Sequence, residues 1–267
     1  MKMSQFVKTK ALYLDNDGGV VTAFIVSCTP FTAASEAHKP LFKTATGNDF
    51  LVATDQTLFY AQGGGQPADT GTMTSMITGD AAKFHVTGVR KTTEGTILHL
   101  GSFEDSPFEK GDLVTQHIDM DKRRLHSQIH DAGHIISSAV RKLADAIPDV
   151  TELKAQHYPD SAFVEFKGFI DGKHKADIEA AANALIDENL PIKVCYWTQE
   201  ELVRACWSVP ETLVLPEGEL ARAVDIEGAG AYACGGTHMA TTGEVGHVRI
   251  RNIKRQKGIS KISYELA

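Results

Sequence analysis

Two short stretches carry residue types that bind metals, His130-Asp-Ala-Gly-His134 and Cys234-Gly-Gly-Thr-His238. The first lies in a segment patterned as a helix, where side chains four apart share a face, so both imidazoles can reach one ion. The second offers a thiolate and an imidazole across a turn with two glycines, which bend the chain enough to aim both at one point. Three imidazoles and a thiolate make the tetrahedral nitrogen and sulfur set that zinc prefers, at one ion per chain. Each half alone also reads as packing, with His134 a helix residue and Cys234 a buried apolar thiol. Taken together, on a helix and a distant turn, the halves favour a metal site.

Other chemistry-bearing residues surround these. Gln62-Gly-Gly-Gly-Gln66-Pro67 is a loop whose backbone can approach a ligand closely through Gly63, Gly64 and Gly65. No Gly-Lys-Ser/Thr follows, so it is not a phosphate-binding P-loop, but a tight barrel turn is an equal reading. His126 lies roughly 12 Å along a helix axis from His134, too far to share an ion. It reads either as a surface histidine or as a substrate contact. Thr237 reads as a polar contact or as a plain turn residue. Residues 249–261 hold six basic side chains (Arg249, Arg251, Lys254, Arg255, Lys257, Lys261) and no acidic one. Such a run is either a solvated face or a track for a phosphate backbone.

These stretches resemble a known family. Thr9-Lys-Ala-Leu-Tyr-Leu14, Phe59-Tyr-Ala-Gln-Gly-Gly-Gly-Gln-Pro-Ala-Asp-Thr-Gly71, Ile118-Asp119, Arg123-Arg124, the His130/His134 helix, Glu188-Asn-Leu-Pro191 and Cys234-Gly-Gly-Thr-His238 occur in one order along most of the chain. Together they are similar to free-standing alanyl-tRNA editing proteins of the AlaX type, related to the editing domain of alanyl-tRNA synthetase. The resemblance implies a hydrolase that deacylates mischarged Ser-tRNA(Ala), and also Gly-tRNA(Ala), while sparing Ala-tRNA(Ala). It implies that the glycine-rich loop faces the editing pocket, making Gln62, Gly63, Gly64 and Gly65 substrate contacts; the residues themselves add His126 as a substrate contact and Thr237 and Gln66 as catalytic-site candidates. Lys254, Arg255 and Lys257 would meet the tRNA. No aminoacylation domain is recognised, so the chain is expected to act in trans. Whether the zinc activates water, polarises the carbonyl or anchors the substrate stays open. Two rivals remain: a zinc peptidase, since His130-Asp131-x-x-His134 is one methylene from His-Glu-x-x-His, and an inactive zinc-stabilised tRNA binder.

The elements that must position these residues divide the chain. Residues 23–26, 50–53, 84–87 and 96–100 are β-rich runs between turn clusters, which predicts a small barrel over residues 1–115. Residues 32–48 have little pattern and read as a surface insertion. From about residue 116 the pattern turns helical, with Asp119 or Asp121 as cap and Leu125, Ile129, Ala132, Ile136, Val140 and Leu143 as a core stripe. Strands at 162–166 and 192–197, a helix at about 175–188, a capping box at Thr198/Glu201 and a strand at 243–250 follow. The fold class is therefore α+β, an amino-terminal β-barrel-like domain and an α+β domain of antiparallel sheet and packed helices over residues 116–267.

The 267 residues carry 27 Lys and Arg against 34 Asp and Glu, a net charge of −7 that argues against broad nonspecific nucleic-acid binding. No apolar run reaches transmembrane length and no signal peptide is recognised. The four cysteines show no framework spacing, which points to a reducing compartment, cytoplasmic or organellar. Cys195 and Cys206 read as packed side chains. Monomer and dimer are both compatible with the sequence.

Overall fold

A computed structural model describes residues 8–15, 18–75, 82–207, 209 and 213–267. The chain forms two compact units, Met1–Gly63 with Pro67–Arg123, and Gly64–Gln66 with Arg124–Ala267.

In chain order the strands of the first unit are β1 (Lys10–Ala11), β2 (Val20–Pro30), β3 (Phe50–Thr54), β4 (Gln56–Thr57), β5 (Gly71–Ser75), β6 (Lys83–Lys91), β7 (Ile97–Phe103) and β8 (Leu113–Ile118). β1 and β4 pair in parallel, and the other six close a barrel in the order β2-β3-β7-β6-β5-β8. All barrel pairs are antiparallel, with register shifts at Ile25/Ser27 and Val86/Gly88 where the strands bend. Alternating inward residues, among them Ile25, Val52, Met73, Phe84, Val86 and Val114, fill the interior. Residues 32–48 depart from the reading as a surface insertion. They form short turns at Phe31–Ala33 and Lys39–Leu41, and Phe42 packs with Leu51, Leu98 and Leu100 in a core of its own. A single anchoring aromatic leaves no periodicity to read.

Two buried polar groups in this unit carry measurable stability. His99 is fully buried; its Nδ1 donates to Val52 O at 3.0 Å and its Nε2 accepts from the Thr57 hydroxyl at 2.8 Å. Burial pushes its pKa down to about 4. The unfolded chain therefore takes up a proton that the folded chain refuses, so this contribution is whole above about pH 6.5 and is lost as pH falls through about 4. The loss amounts to about 3 kcal/mol. Thermal melts from pH 7 to 4 should show a shallower decline in His99→Gln than in the parent.

Asp69, within the glycine-rich motif, accepts from Arg123 Nε at 3.0 and 3.1 Å and from Tyr60 N at 2.6 Å. Arg123 Nη2 also binds Asp69 and donates to Leu58 O at 2.7 Å. Both side chains are buried. Asp69→Ala strands a buried guanidinium and is expected to cost roughly 3–5 kcal/mol in a urea titration.

The elements that follow are α1 (Met120–Lys142), β9 (Thr151–Gln156), β10 (Phe163–Lys167), α2 (Lys175–Asp187), β11 (Ile192–Trp197), α3 (Gln199–Ala205), β12 (Ala221–Ile226), β13 (Gly230–Ala233), β14 (Val248–Gln256) and β15 (Ile259–Leu266). A four-stranded antiparallel sheet runs β14-β15-β10-β9, and a three-stranded one β11-β12-β13. The chain is thus α+β, with an amino-terminal barrel. Asp119 Oδ1 accepts from Lys122 N at 3.2 Å and caps α1. Ile129, Ala132, Ile136 and Val140 are buried as the stripe requires, joined by Ile135 and Ala139, and pack with Ile178, Leu185, Phe166, Ile250 and Ile262. Leu125 departs from the stripe and is 37% exposed. The capping box opens α3 as expected. The strand expected at 243–250 begins only at Val248, because Thr242–Glu244 forms a 3-10 turn and Gly246 turns the chain at φ +80°. Among the described residues no helix is long and apolar enough to cross a membrane.

Candidate metal centre

One turn of α1 separates His130 from His134, and their ring centroids lie 4.9 Å apart. Cys234 directly follows β13, and the turn after it returns His238 to the same point. One ligating atom from each of His130, His134, Cys234 and His238 lies within 4.8 Å of all the others. Cys234 Sγ is 3.2 Å from His130 Nε2. Zinc bonds of about 2.0–2.3 Å imply ligand separations of roughly 3.3–3.6 Å, which the Cys234–His130 pair approaches, and the nitrogen and sulfur donors are of the types found in a tetrahedral zinc site. The nitrogens His134 Nε2 and His238 Nε2 are buried, with no hydrogen-bond partner among the described residues. Such orphaned buried nitrogens are costly unless something binds them.

Neighbouring side chains orient the ligands. Gln66 Oε1 accepts from the backbone N of Thr237 at 3.0 Å, which fixes the amide's orientation. The same oxygen lies 2.8 Å from His130 Nδ1, so that nitrogen is the donor and Nε2 keeps its lone pair toward Cys234. Gln66 Nε2 donates to Thr237 Oγ1 at 2.8 Å, and Thr237 Oγ1 is 2.7 Å from Ser127 Oγ. On the opposite ligand, Asp131 Oδ1 is 2.6 Å from His238 Nδ1, while its Oδ2 accepts from Met239 N at 2.7 Å. This is a carboxylate–histidine pair that presents Nε2 to the site. Gly236 N donates to Cys234 Sγ at 3.3 Å.

A fourth imidazole lies against the set. His157 stacks on His130 with centroids 4.1 Å apart. Its Nδ1 is 2.7 Å from Tyr264 Oη, whose proton goes to Ile129 O at 2.9 Å. The hydroxyl has one proton, so His157 Nδ1 is the donor and Nε2 the acceptor. Glycines make room. A Cβ on Gly133 would fall 2.5 Å from His157 Cε1, and one on Gly236 would fall 2.2 Å from His130 Cε1.

Burial, and then neighbouring histidines, hold His130 and His134 well below the usual histidine range, and His157 falls to about 3. These rings stay neutral, the form that ligates. Burial also pushes His238 down, but Asp131 and Cys234 beside it override this and hold it up at about 10. A metal bound at its Nε2 therefore releases a proton.

The residues expected at the site separate into groups. His130, His134, Cys234, His238, Gln66 and Thr237 come together. Gln66 is 0% exposed, and its three bonds tie it to His130 and Thr237, so it positions a ligand instead of lying open to substrate. Gly64 and Gly65 belong to this unit, with Gly65 at φ +79° and its carbonyl accepting from His157 N at 2.8 Å. Gln62 and Gly63 belong to the barrel unit, where Gln62 N donates to Val89 O and Gly63 O accepts from Tyr60 Oη. His126 is 7% exposed, which removes the surface-histidine reading. Lys254, Arg255 and Lys257 lie on β14 and its turn, exposed and outside the ligand cluster. Ser127, His157 and Tyr264 belong to no motif of the sequence, and Asp131 enters it only at the general-base position of the rival peptidase pattern. Only Gly133, a glycine inside a helix, hinted that something approaches the backbone there.

Residues 19–122 match the family model of tRNA synthetases class II (A), and residues 221–263, which hold Cys234 and His238, match that of the threonyl and alanyl tRNA synthetase second additional domain. The alanine--tRNA ligase of Haloquadratum walsbyi is 30% identical over 266 residues, 98% of this chain and 26% of that protein. Those of Halobacterium salinarum and Natronomonas pharaonis are 34% and 35% identical, each over 80% of this chain and 22% of the ligase. Over most of its length the chain is similar to a portion of alanine--tRNA ligases, and it resembles the AlaX-type proteins related to their editing domain. It spans 22% to 26% of the length of these ligases. The match to the Haloquadratum ligase spans the stretches that hold both pairs, His130/His134 and Cys234/His238.

Proposed function

We propose that this chain is a trans-editing hydrolase that cleaves the ester of mischarged Ser-tRNA(Ala), and more weakly Gly-tRNA(Ala), at a centre holding one zinc. The observation that carries this reading is the convergence of His130, His134, Cys234 and His238, with orphaned Nε2 atoms on two of them. When bound, zinc would supply Lewis acidity or an anchor for the substrate. An aminoacyl ester is already labile, so the protein's task is orientation more than force. Gln66 and Asp131 hold the ligand rings in one tautomer and direction. Thr237 and Ser127 place two hydroxyls beside the ligands, where they can meet a polar group of the amino acid. Lys254, Arg255 and Lys257 contribute phosphate contacts to the tRNA.

The peptidase reading loses its general base, because both oxygens of Asp131 are committed to His238 and Met239 N. Release of serine from Ser-tRNA(Ala), with casein left intact, is the expected outcome. Cleaved casein and intact ester would reverse the assignment. An inactive tRNA binder would leave both intact.

A further inference from the structure

The β14–β15 hairpin end carries a second feature, remote in kind from the metal set. Phe169 is a phenylalanine at 63% exposure, and the Arg255 guanidinium sits 4.3 Å from its ring centroid. Both line a cleft of about 640 Å³, together with Lys257 and Ile259, and no carboxylate lines it. Lys257 stands at the hairpin tip with φ +51°, a conformation that lysine adopts only at a cost. A neighbouring cleft of about 440 Å³ shares Ile259 and adds Lys254 and Lys261. Its one carboxylate, Glu165, is engaged by Lys154 at 3.4 Å. Lys261 Nζ lies 3.4 Å from the ring centroid of Phe163, a second cation–aromatic pair on the same sheet.

In a chain of net charge −7, a surface that joins cations to exposed aromatic faces is complementary to one chemistry, phosphates alternating with flat rings. We infer that this sheet end binds single-stranded RNA, an unpaired base stacking on the Phe169–Arg255 pair while Lys257 and Lys254 meet the flanking phosphates. A duplex offers no free ring faces and would engage the lysines alone. This deepens the reading of a tRNA partner but does not depend on ester hydrolysis.

The test is fluorescence anisotropy with a labelled ten-nucleotide single-stranded RNA and the duplex of the same sequence. The single strand should bind tighter than the duplex, and Phe169→Ala should weaken it by about 5- to 150-fold. Phe169→Leu, which keeps bulk but not the ring, should behave like Phe169→Ala. Phe169 is exposed, so both variants should melt with the parent. Unchanged affinity in Phe169→Ala, or equal affinity for the duplex, would overturn the inference. Binding to phosphatidylserine vesicles without binding to RNA would overturn it too, in favour of an anionic membrane surface. Stacking intact while Ser-tRNA(Ala) stays uncleaved would count against the hydrolase alone. Cleavage with Phe169-independent RNA binding would count against the inference alone.

Discussion

Purified Gly236→Ala protein is expected to carry almost no zinc, although no ligand has been changed. The new Cβ would lie 2.2 Å from His130 Cε1, 2.5 Å from its Nδ1 and 2.9 Å from Gln66 Oε1. His130 cannot retreat, because His157 stacks on its ring at 4.1 Å. The ring must therefore leave its bond to Gln66, and with it the direction of Nε2. Losing a ligand outright should exceed the 10- to 100-fold that loss of an orienting partner typically costs. Cys234→Ser and His134→Ala are thus expected to bind zinc more than about 100-fold more weakly than the parent, and Gln66→Ala within about that 10- to 100-fold range. Elemental analysis after dialysis against a weak chelator reads all four. Full zinc in Cys234→Ser would show that the ion sits elsewhere.

The second large effect is discrimination. Alanine is smaller than serine, so size cannot exclude it from a serine-sized pocket. Selectivity must come from a polar group that needs the serine hydroxyl, and such a site can reject the analogue lacking it by up to roughly 10⁴–10⁵. Thr237 Oγ1 is the candidate, since Gln66 Nε2 donates to it and Ser127 Oγ lies 2.7 Å away. Single-turnover rates on Ser- and Ala-charged tRNA(Ala) should differ by orders of magnitude in the parent. Thr237→Val, which keeps shape and removes the hydroxyl, should narrow that gap chiefly by slowing the serine ester. Equal rates in the parent would mean a nonselective esterase. Glycine lacks the hydroxyl as well, so its ester should be the poorer substrate.

Much of this arrangement was legible in local spacing. Four residues of helix bring His130 and His134 together, and a glycine turn brings Cys234 to His238, so sequence separation stands in for distance. The barrel was legible in part: β-rich runs between turn clusters marked β2, β3, β6 and β7, while β5 and β8, which complete it, carried no such run. Long-range packing was not legible. His157 reaches His130 only because β9 leads into a loop that also binds Gly65 O, and nothing near His157 in sequence marks that approach. The role of Gln66 was hidden likewise. A glutamine beside three glycines suggests exposure, whereas the fold buries it and spends its amide on His130 and Thr237. The basic run was visible as charge, but Phe169 joins Arg255 only through the pairing of β10 with β15 and of β15 with β14. Phe42 escaped notice because one buried aromatic, with only Leu41 beside it in the same cluster, sets no period.

The central claim is that this centre hydrolyses the mischarged ester. The most direct measurement follows release of labelled serine from Ser-tRNA(Ala) by the full chain, first as purified, then after chelation, then after zinc is restored. Release that stops on chelation, returns with zinc and is absent from Cys234→Ser at every stage is the predicted result. Release at an unchanged rate after the metal is gone, or in Cys234→Ser, would contradict it.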